Sequence, residues 1–169
     1  ARMQVYFIDN DDYFQRKHTV ADAAGNEYDD NDERAMFFAR GVIETVRKLR
    51  WSPDIVHCHG WMTSLVPLYL RTLYSDDPVF SKIKTIYSVY NNGFKKPLKS
   101  SLPDKLAADG IEKGALKPIS KNTDFLSLTQ LATGNSDGII IGCEKIDEKV
   151  RKHLAGLDKP LLDYQGDEN

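Results

Sequence analysis

Short apolar runs alternate with helix-period segments along this chain, and that alternation restricts its fold more than any other feature. Residues 54–57 (Asp-Ile-Val-His), 84–90 (Lys-Thr-Ile-Tyr-Ser-Val-Tyr) and 138–141 (Gly-Ile-Ile-Ile) are too short for helices and rich in β-branched and aromatic side chains. Residues 31–50 instead repeat Ala35, Ala39, Val42, Val46 and Leu49 at helical spacing, with Met36, Phe38 and Ile43 widening the stripe. Further helices are expected at about residues 62–74 and 123–133, and around Ile146, Val150 and Leu154. Strands separated by helices at these intervals mean βαβ units and a parallel sheet. The expectation is an α/β, Rossmann-like, three-layer parallel sheet with flanking helices, one domain over residues 1–169.

The remaining segments fit around this frame. Residues 3–8 (Met-Gln-Val-Tyr-Phe-Ile) read as a buried strand, and residues 160–162 start a last one. Residues 9–32 read as an acidic surface loop, with Asp30 capping the long helix and Glu33 returning as the second carboxylate of a capping box. Residues 94–122 are Lys-rich and broken by Pro97, Pro103, Gly110, Gly114 and Pro118, an irregular excursion with short helical pieces.

Charge and cysteine usage exclude several functions. The 23 basic and 25 acidic residues leave a net charge of −2, without the basic excess of a nucleic-acid binder. No apolar run approaches the ~20 residues that cross a bilayer. The two cysteines, Cys58 and Cys143, lie far apart and form no C-x-x-C, which reads as free thiols in a reducing cytoplasm. The chain starts without Met inside a strand-like run and stops in a polar stretch, so a fragment of a longer protein is expected.

In an open parallel sheet, ligands bind outside the carboxyl ends of the strands. Two such ends carry unusual residues: His57-Cys58-His59-Gly60-Trp61 and Tyr90-Asn91-Asn92-Gly93. His57 and His59 point the same way on a strand, but zinc takes at least three protein ligands and only His18 and His153 remain. His57 therefore reads as a core histidine with its hydrogen bonds satisfied, and no metal is expected. His59 stands at the strand exit beside Gly60, where backbone can approach a ligand. Trp61 offers an apolar plate with one N–H donor. Such a trio suits a sugar, which needs polar partners at its edge and an aromatic surface on its apolar face. For Trp61 and Tyr90 a plain packing role is the alternative. Asp9-Asn10-Asp11-Asp12 lacks the Gly and closing Glu of a calcium loop and reads as solvated. P-loop, dinucleotide and nucleophile-elbow motifs are absent.

Read in order, Val5-Tyr6-Phe7-Ile8-Asp9, Tyr13-Phe14 with Arg16, Tyr28 with Asp30-Asn31 and Arg34, and Trp51 with Pro53-Asp54-Ile55-Val56-His57-Cys58-His59-Gly60-Trp61 resemble the bacterial glycogen synthase and plant starch synthase family. Residues 85–91 are similar to its next strand, and Ser136-Asp137 with Gly138-Ile139-Ile140 to a later strand start. The likeness is dense over residues 5–91 and thins beyond.

The resemblance implies the N-terminal, acceptor-side part of a GT-B glycosyltransferase. Such an enzyme transfers glucose from ADP-glucose to an α-1,4-glucan with retention and without a divalent metal or other cofactor. The partners implied are an α-glucan and ADP-glucose, and the substrate-binding residues His59, Gly60, Trp61, Tyr90 and Asn91. Two family positions depart: Gly60 stands where the family's H-x-H-D-W has Asp, and Tyr90 where its H-N has His. Both side chains line the sugar site in the family, so no catalytic residue is assigned with these two positions occupied by Gly60 and Tyr90. A relative that holds glucan or nucleotide-sugar without transferring glucose is the alternative. The family's K-x-G-G-L loop and donor domain are not in the matched part, so this chain alone is expected to be inactive.

Overall fold

The computed structural model describes residues 3–166. Four strands, β1 (Ile55–His59), β2 (Lys84–Val89), β3 (Gly138–Ile141) and β4 (Leu161–Leu162), form one sheet in the order β1-β2-β3-β4. All three pairings are parallel. The helices are α1 (Asp11–Phe14), α2 (Asn31–Lys48), α3 (Leu65–Arg71), α4 (Leu102–Ala108), α5 (Phe125–Gly134) and α6 (Glu148–Ala155). Two 3₁₀ segments, Trp61–Thr63 and Lys113–Ile119, complete the elements. This is the expected α/β, Rossmann-like parallel sheet with flanking helices.

Strand order equal to chain order has a consequence for the layers. Parallel crossovers are right-handed, so a sheet that always grows in one direction puts every connecting helix on the same face. Val56, Cys58, Tyr87, Val89, Ile139 and Ile141 alternate toward that face and are buried or partly buried in the core. There Leu65 and Leu68 of α3 and Leu128 and Leu131 of α5 meet them, each with 1% or less of its surface exposed. The other face carries Ile55, His57, His59, Ile86, Ile140 and Leu162. It is open: Ile55 is 60% exposed and Leu162 48%. Of the two helical layers that a three-layer arrangement requires, one is present among the described residues.

The N-terminal expectation is corrected. Residues 3–8 form no strand, and Met3, Val5, Tyr6 and Phe7 are exposed. Ile8 explains this: its Cγ2 lies 2.8 Å from where a Cβ on Gly41 of α2 would stand. The segment is tied to the helical layer and does not reach a sheet edge, so its backbone has no ladder to join.

The capping box at α2 is also corrected. Asp30 makes no side-chain cap bond. Its carboxylate instead accepts from both terminal nitrogens of Arg16, at 2.8 and 2.5 Å. Glu33 and the buried Asp32 both turn to Lys105 Nζ, each at 2.6 Å. A bidentate guanidinium and a shared ammonium are stronger partners than backbone N–H groups that solvent can also satisfy. The shorter C-terminal elements, including β3, appear where the sequence placed them.

Candidate functional site

The motif residues of the first loop close on one another. Arg34 is buried, donating from Nε to the Tyr13 carbonyl at 2.9 Å and from Nη1 to Asn31 Oδ1 at 2.7 Å. Its guanidinium lies 5.4 Å from the Phe14 ring and 5.3 Å from the Tyr28 ring, while Arg16 sits 4.7 Å from Tyr28. Tyr13, Phe14, Arg16, Tyr28, Asp30, Asn31 and Arg34 are therefore one knot of cation–π contacts and charge-assisted bonds. It staples the acidic loop onto the start of α2. Arg16 holds the Asp30 carboxyl below the usual carboxylate range.

The sheet's carboxyl rim gathers the second set. Gly60 continues the β1–β2 ladder with its N–H on the Ser88 carbonyl at 3.0 Å. It then turns with φ +70° and ψ 175°, a region that glycine alone adopts freely. That turn leaves His59 on the open rim, exposed, with Nδ1 2.9 Å from Tyr90 Oη. Tyr90 is half-buried because its ring lies on the backbone of Gly142, just past β3. Asn91 is exposed, and its N–H donates to Cys143 Sγ at 3.2 Å. His59, Gly60, Tyr90 and Asn91 thus converge where adjacent strands end.

Trp61 does not join them. It is 3% exposed and packs edge-on against Phe94, ring centroids 5.0 Å apart. The expected sugar plate is a core side chain here, because the 3₁₀ turn after Gly60 rolls the indole under the loop that carries Phe94. His57 is corrected in the opposite sense. Its hydrogen bond is satisfied, Nε2 to Ser88 Oγ at 2.7 Å, but it is exposed on the open face rather than in the core. Its ring centroid is 3.9 Å from that of His59. Burial, and then the neighbouring His59, lower its pKa.

Other chemistry is narrowed by the same geometry. Burial pushes the Cys58 thiol up to about 12, so it offers no thiolate near neutral pH. Among the described residues no group of three or more His, Cys, Asp or Glu side chains could hold a metal ion. No described helix is long and apolar enough to cross a membrane.

Sequence reasoning missed three features. Asn92 places Nδ2 2.9 Å from where a Cβ on Gly60 would stand, filling the space of a larger residue. Gly142 makes room for Tyr90. Glu27 accepts from the consecutive backbone N–H groups of Lys95 and Lys96, at 2.8 and 2.9 Å, clasping the loop that leaves the rim. Nothing in the sequence marks Glu27. The Asn91-Asn92-Gly93 turn was the only available signal for the first feature.

Comparison with known proteins agrees with the fold. Residues 1–140 match the starch synthase catalytic domain family. A glycogen synthase of Chlorobium phaeobacteroides is 44% identical over 171 residues, covering 93% of this chain and 35% of that protein. One from Chlorobium limicola is 34% identical, covering 94% and 36%; one from Chlorobium luteolum is 38% identical, covering 75% and 26%. The chain thus spans about a quarter to a third of the length of these curated relatives. Among solved structures, the catalytic domain of starch synthase IV from Arabidopsis thaliana bound to ADP and acarbose superposes with a TM-score of 0.64. The identity is 16%, and 81% of this chain and 30% of that one are covered.

Proposed function

Since this chain belongs to the starch synthase catalytic domain family, we propose that it forms the acceptor-side part of a cytoplasmic glucosyltransferase. The enzyme moves glucose from ADP-glucose to the non-reducing end of an α-1,4-glucan. The reaction breaks the bond between the anomeric carbon and the leaving phosphate. It forms an α-glucosidic bond to a glucan hydroxyl, whose proton departs. The anomeric centre becomes oxocarbenium-like on the way, and fixed polar groups stabilise it better than mobile water does.

The role of this chain's rim is to hold the glucan. His59, Tyr90 and Asn91 supply hydrogen-bond partners for sugar hydroxyls, and Gly60 lets the sugar approach backbone. The single observation that carries the reading is the His59–Tyr90 hydrogen bond, which fixes two polar rings at adjacent strand exits. Two things support it further: the glycogen synthase relatives and the fold shared with a starch synthase that holds ADP and acarbose. Gly60 carries no carboxylate where the family's motif has one, which favours binding a neutral glucan there over stabilising a cation.

The test is a titration of the ¹⁵N-labelled chain with maltoheptaose, followed by NMR. A half-open rim buries one side of its ligand, so a dissociation constant of roughly 1 mM is expected, about −4 kcal/mol. The amides of His59, Tyr90 and Asn91 should shift. If they stay still at several times that concentration, the rim is not a glucan site.

A further inference from the structure

A strand-like segment and a strand edge both stand open to solvent in this fold. Residues 3–7, Met-Gln-Val-Tyr-Phe, alternate apolar and polar-tipped side chains with the two-residue period of a strand. Gln4 and Tyr6 stand together, Tyr6 Oη donating to Gln4 Oε1 at 3.2 Å. Met3, Val5 and Phe7 are exposed, Met3 by 90% and Phe7 by 87%. The segment is uncharged, free of proline and glycine, and rich in side chains that favour strands, the composition of a sequence ready to pair.

The edge belongs to β1, which pairs only with β2 among the described residues. Lys84 N–H donates to the Asp54 carbonyl at 2.9 Å, and Gly60 N–H to the Ser88 carbonyl at 3.0 Å. Backbone groups alternate sides along a strand. Residues 54, 56, 58 and 60 therefore face β2, and the N–H and C=O groups of Ile55, His57 and His59 point outward. Natural sheets guard such an edge with lysine, proline, a bulge or a very short strand. The opposite edge is guarded: β4 is two residues long and follows Pro160. Ile55-Val56-His57-Cys58-His59 carries none of these guards.

We propose that β1 takes residues 3–7 of a second copy of this chain as an added strand, the two copies exchanging these segments in a two-fold dimer. The donor is another copy because Ile8, the next residue, is seated against Gly41 of α2, which keeps the segment from its own β1. Neither strand carries Asp, Glu, Lys or Arg, so no like charges oppose the pairing. Strand addition gives each outward N–H and C=O a partner and covers the apolar side chains of the segment. The exchange also closes on itself: each copy gives one strand and receives one, leaving no β1 edge for a third. This association is independent of the glucan reading.

Sedimentation velocity tests the exchange. Two short strand pairs bury less than the ~800 Å² per partner of a stable complex, so the mass should double with a midpoint on the order of 100 µM. Phe7→Lys breaks the apolar alternation at an exposed side chain. Ile55→Pro removes an outward N–H, where an edge strand tolerates proline. Each should weaken dimerisation at least tenfold. A labelled mixture then identifies the two surfaces without relying on the proline variant. The ¹⁵N-labelled Phe7→Lys chain keeps its edge and lacks only a competent donor. Unlabelled parent should therefore shift its Ile55, His57 and His59 amides, and unlabelled Phe7→Lys chain should not. A parent that stays monomeric at about five times the expected midpoint overturns the exchange. Dimerisation that Phe7→Lys leaves intact also overturns it, as do shifts confined to residues 3–7 of the labelled chain, which would mean that the segments pair with each other.

Discussion

His59 and Tyr90, thirty-one residues apart in the chain, meet through a hydrogen bond of 2.9 Å between Nδ1 and Oη. One step back along the strands, His57 makes the equivalent bond to Ser88 at 2.7 Å. The register partners of His57 and His59 are Ile86 and Ser88, so each imidazole reaches one same-face position further along the neighbouring strand. Side chains on a strand lean along its direction, and here that lean delivers both histidines to oxygen partners. It also brings the two rings together, with centroids 3.9 Å apart and planes inclined by 37°.

Burial of imidazoles sets a pH dependence. Burial and the nearby His59 lower the pKa of His57, and burial lowers that of His153. Both folded values therefore lie below the unfolded value of about 6.5. As pH falls through about 6.5, the unfolded chain takes up protons that the native one refuses, and stability drops. The loss levels off once pH is below the folded values. Asp30 and Glu33, held low by Arg16 and Lys105, add their own loss at more acid pH. Urea midpoints should fall between about pH 7 and pH 5, and His57→Asn combined with His153→Asn should flatten that slope. An unchanged slope in the double variant would show that these histidines are not its source.

Trp61 supports the fold as a core side chain. It is 3% exposed and edge-packed on Phe94, which in turn packs edge-on against Phe125. Trp61→Ala should cost about 3–5 kcal/mol in urea unfolding, as buried aromatics do. A loss under about 1 kcal/mol would mean that the indole is dispensable to the core.

Why Trp61 misled and β3 did not is a matter of which contacts each depends on. Gly138–Ile141 is all apolar and flanked by helices, so local pattern alone specifies a buried parallel strand. Residues 31–50 were legible for the same reason: helix α2 carries its stripe within itself. Trp61 depends on Phe94, and Tyr90 depends on Gly142. No periodicity joins either pair. His57 shows the limit most sharply. The H-x-H spacing put both rings on one face, but only the direction in which the sheet grows decides that this face is open. The apolar run at residues 3–8 reads as a strand by composition, yet a strand also needs a free edge within reach.

Gly60 should resist replacement for a backbone reason more than a steric one. A Cβ there would stand 2.9 Å from Asn92 Nδ2, the far end of an exposed side chain that can swing away. The dihedral angles, φ +70° and ψ 175°, cannot be relieved so easily. Gly60→Ala should cost about 1–3 kcal/mol, and adding Asn92→Ala should recover little of it. Full recovery in the double variant would make the Asn92 contact, and not the backbone, the source of the cost.

Gly142 tests whether the Tyr90 position matters to binding. Its N–H is fixed on the Val89 carbonyl at 2.9 Å, so its backbone cannot retreat. A Cβ would lie 2.4 Å from Tyr90 Cε1 and 2.6 Å from Cζ. In Gly142→Ala the phenol ring must leave, and its hydrogen bond to His59 goes with it. Overpacking of this kind costs about 1–3 kcal/mol. Maltoheptaose should then shift the rim amides as weakly as it does in Tyr90→Ala. Because the clash needs the ring, Gly142→Ala introduced into a Tyr90→Ala background should change stability by no more than about 0.5 kcal/mol, a coupling that a double-mutant cycle reads directly. Equal costs in the two backgrounds would show that Gly142 matters for some reason other than Tyr90. Glucan binding that survives Gly142→Ala intact would remove Tyr90 from the site.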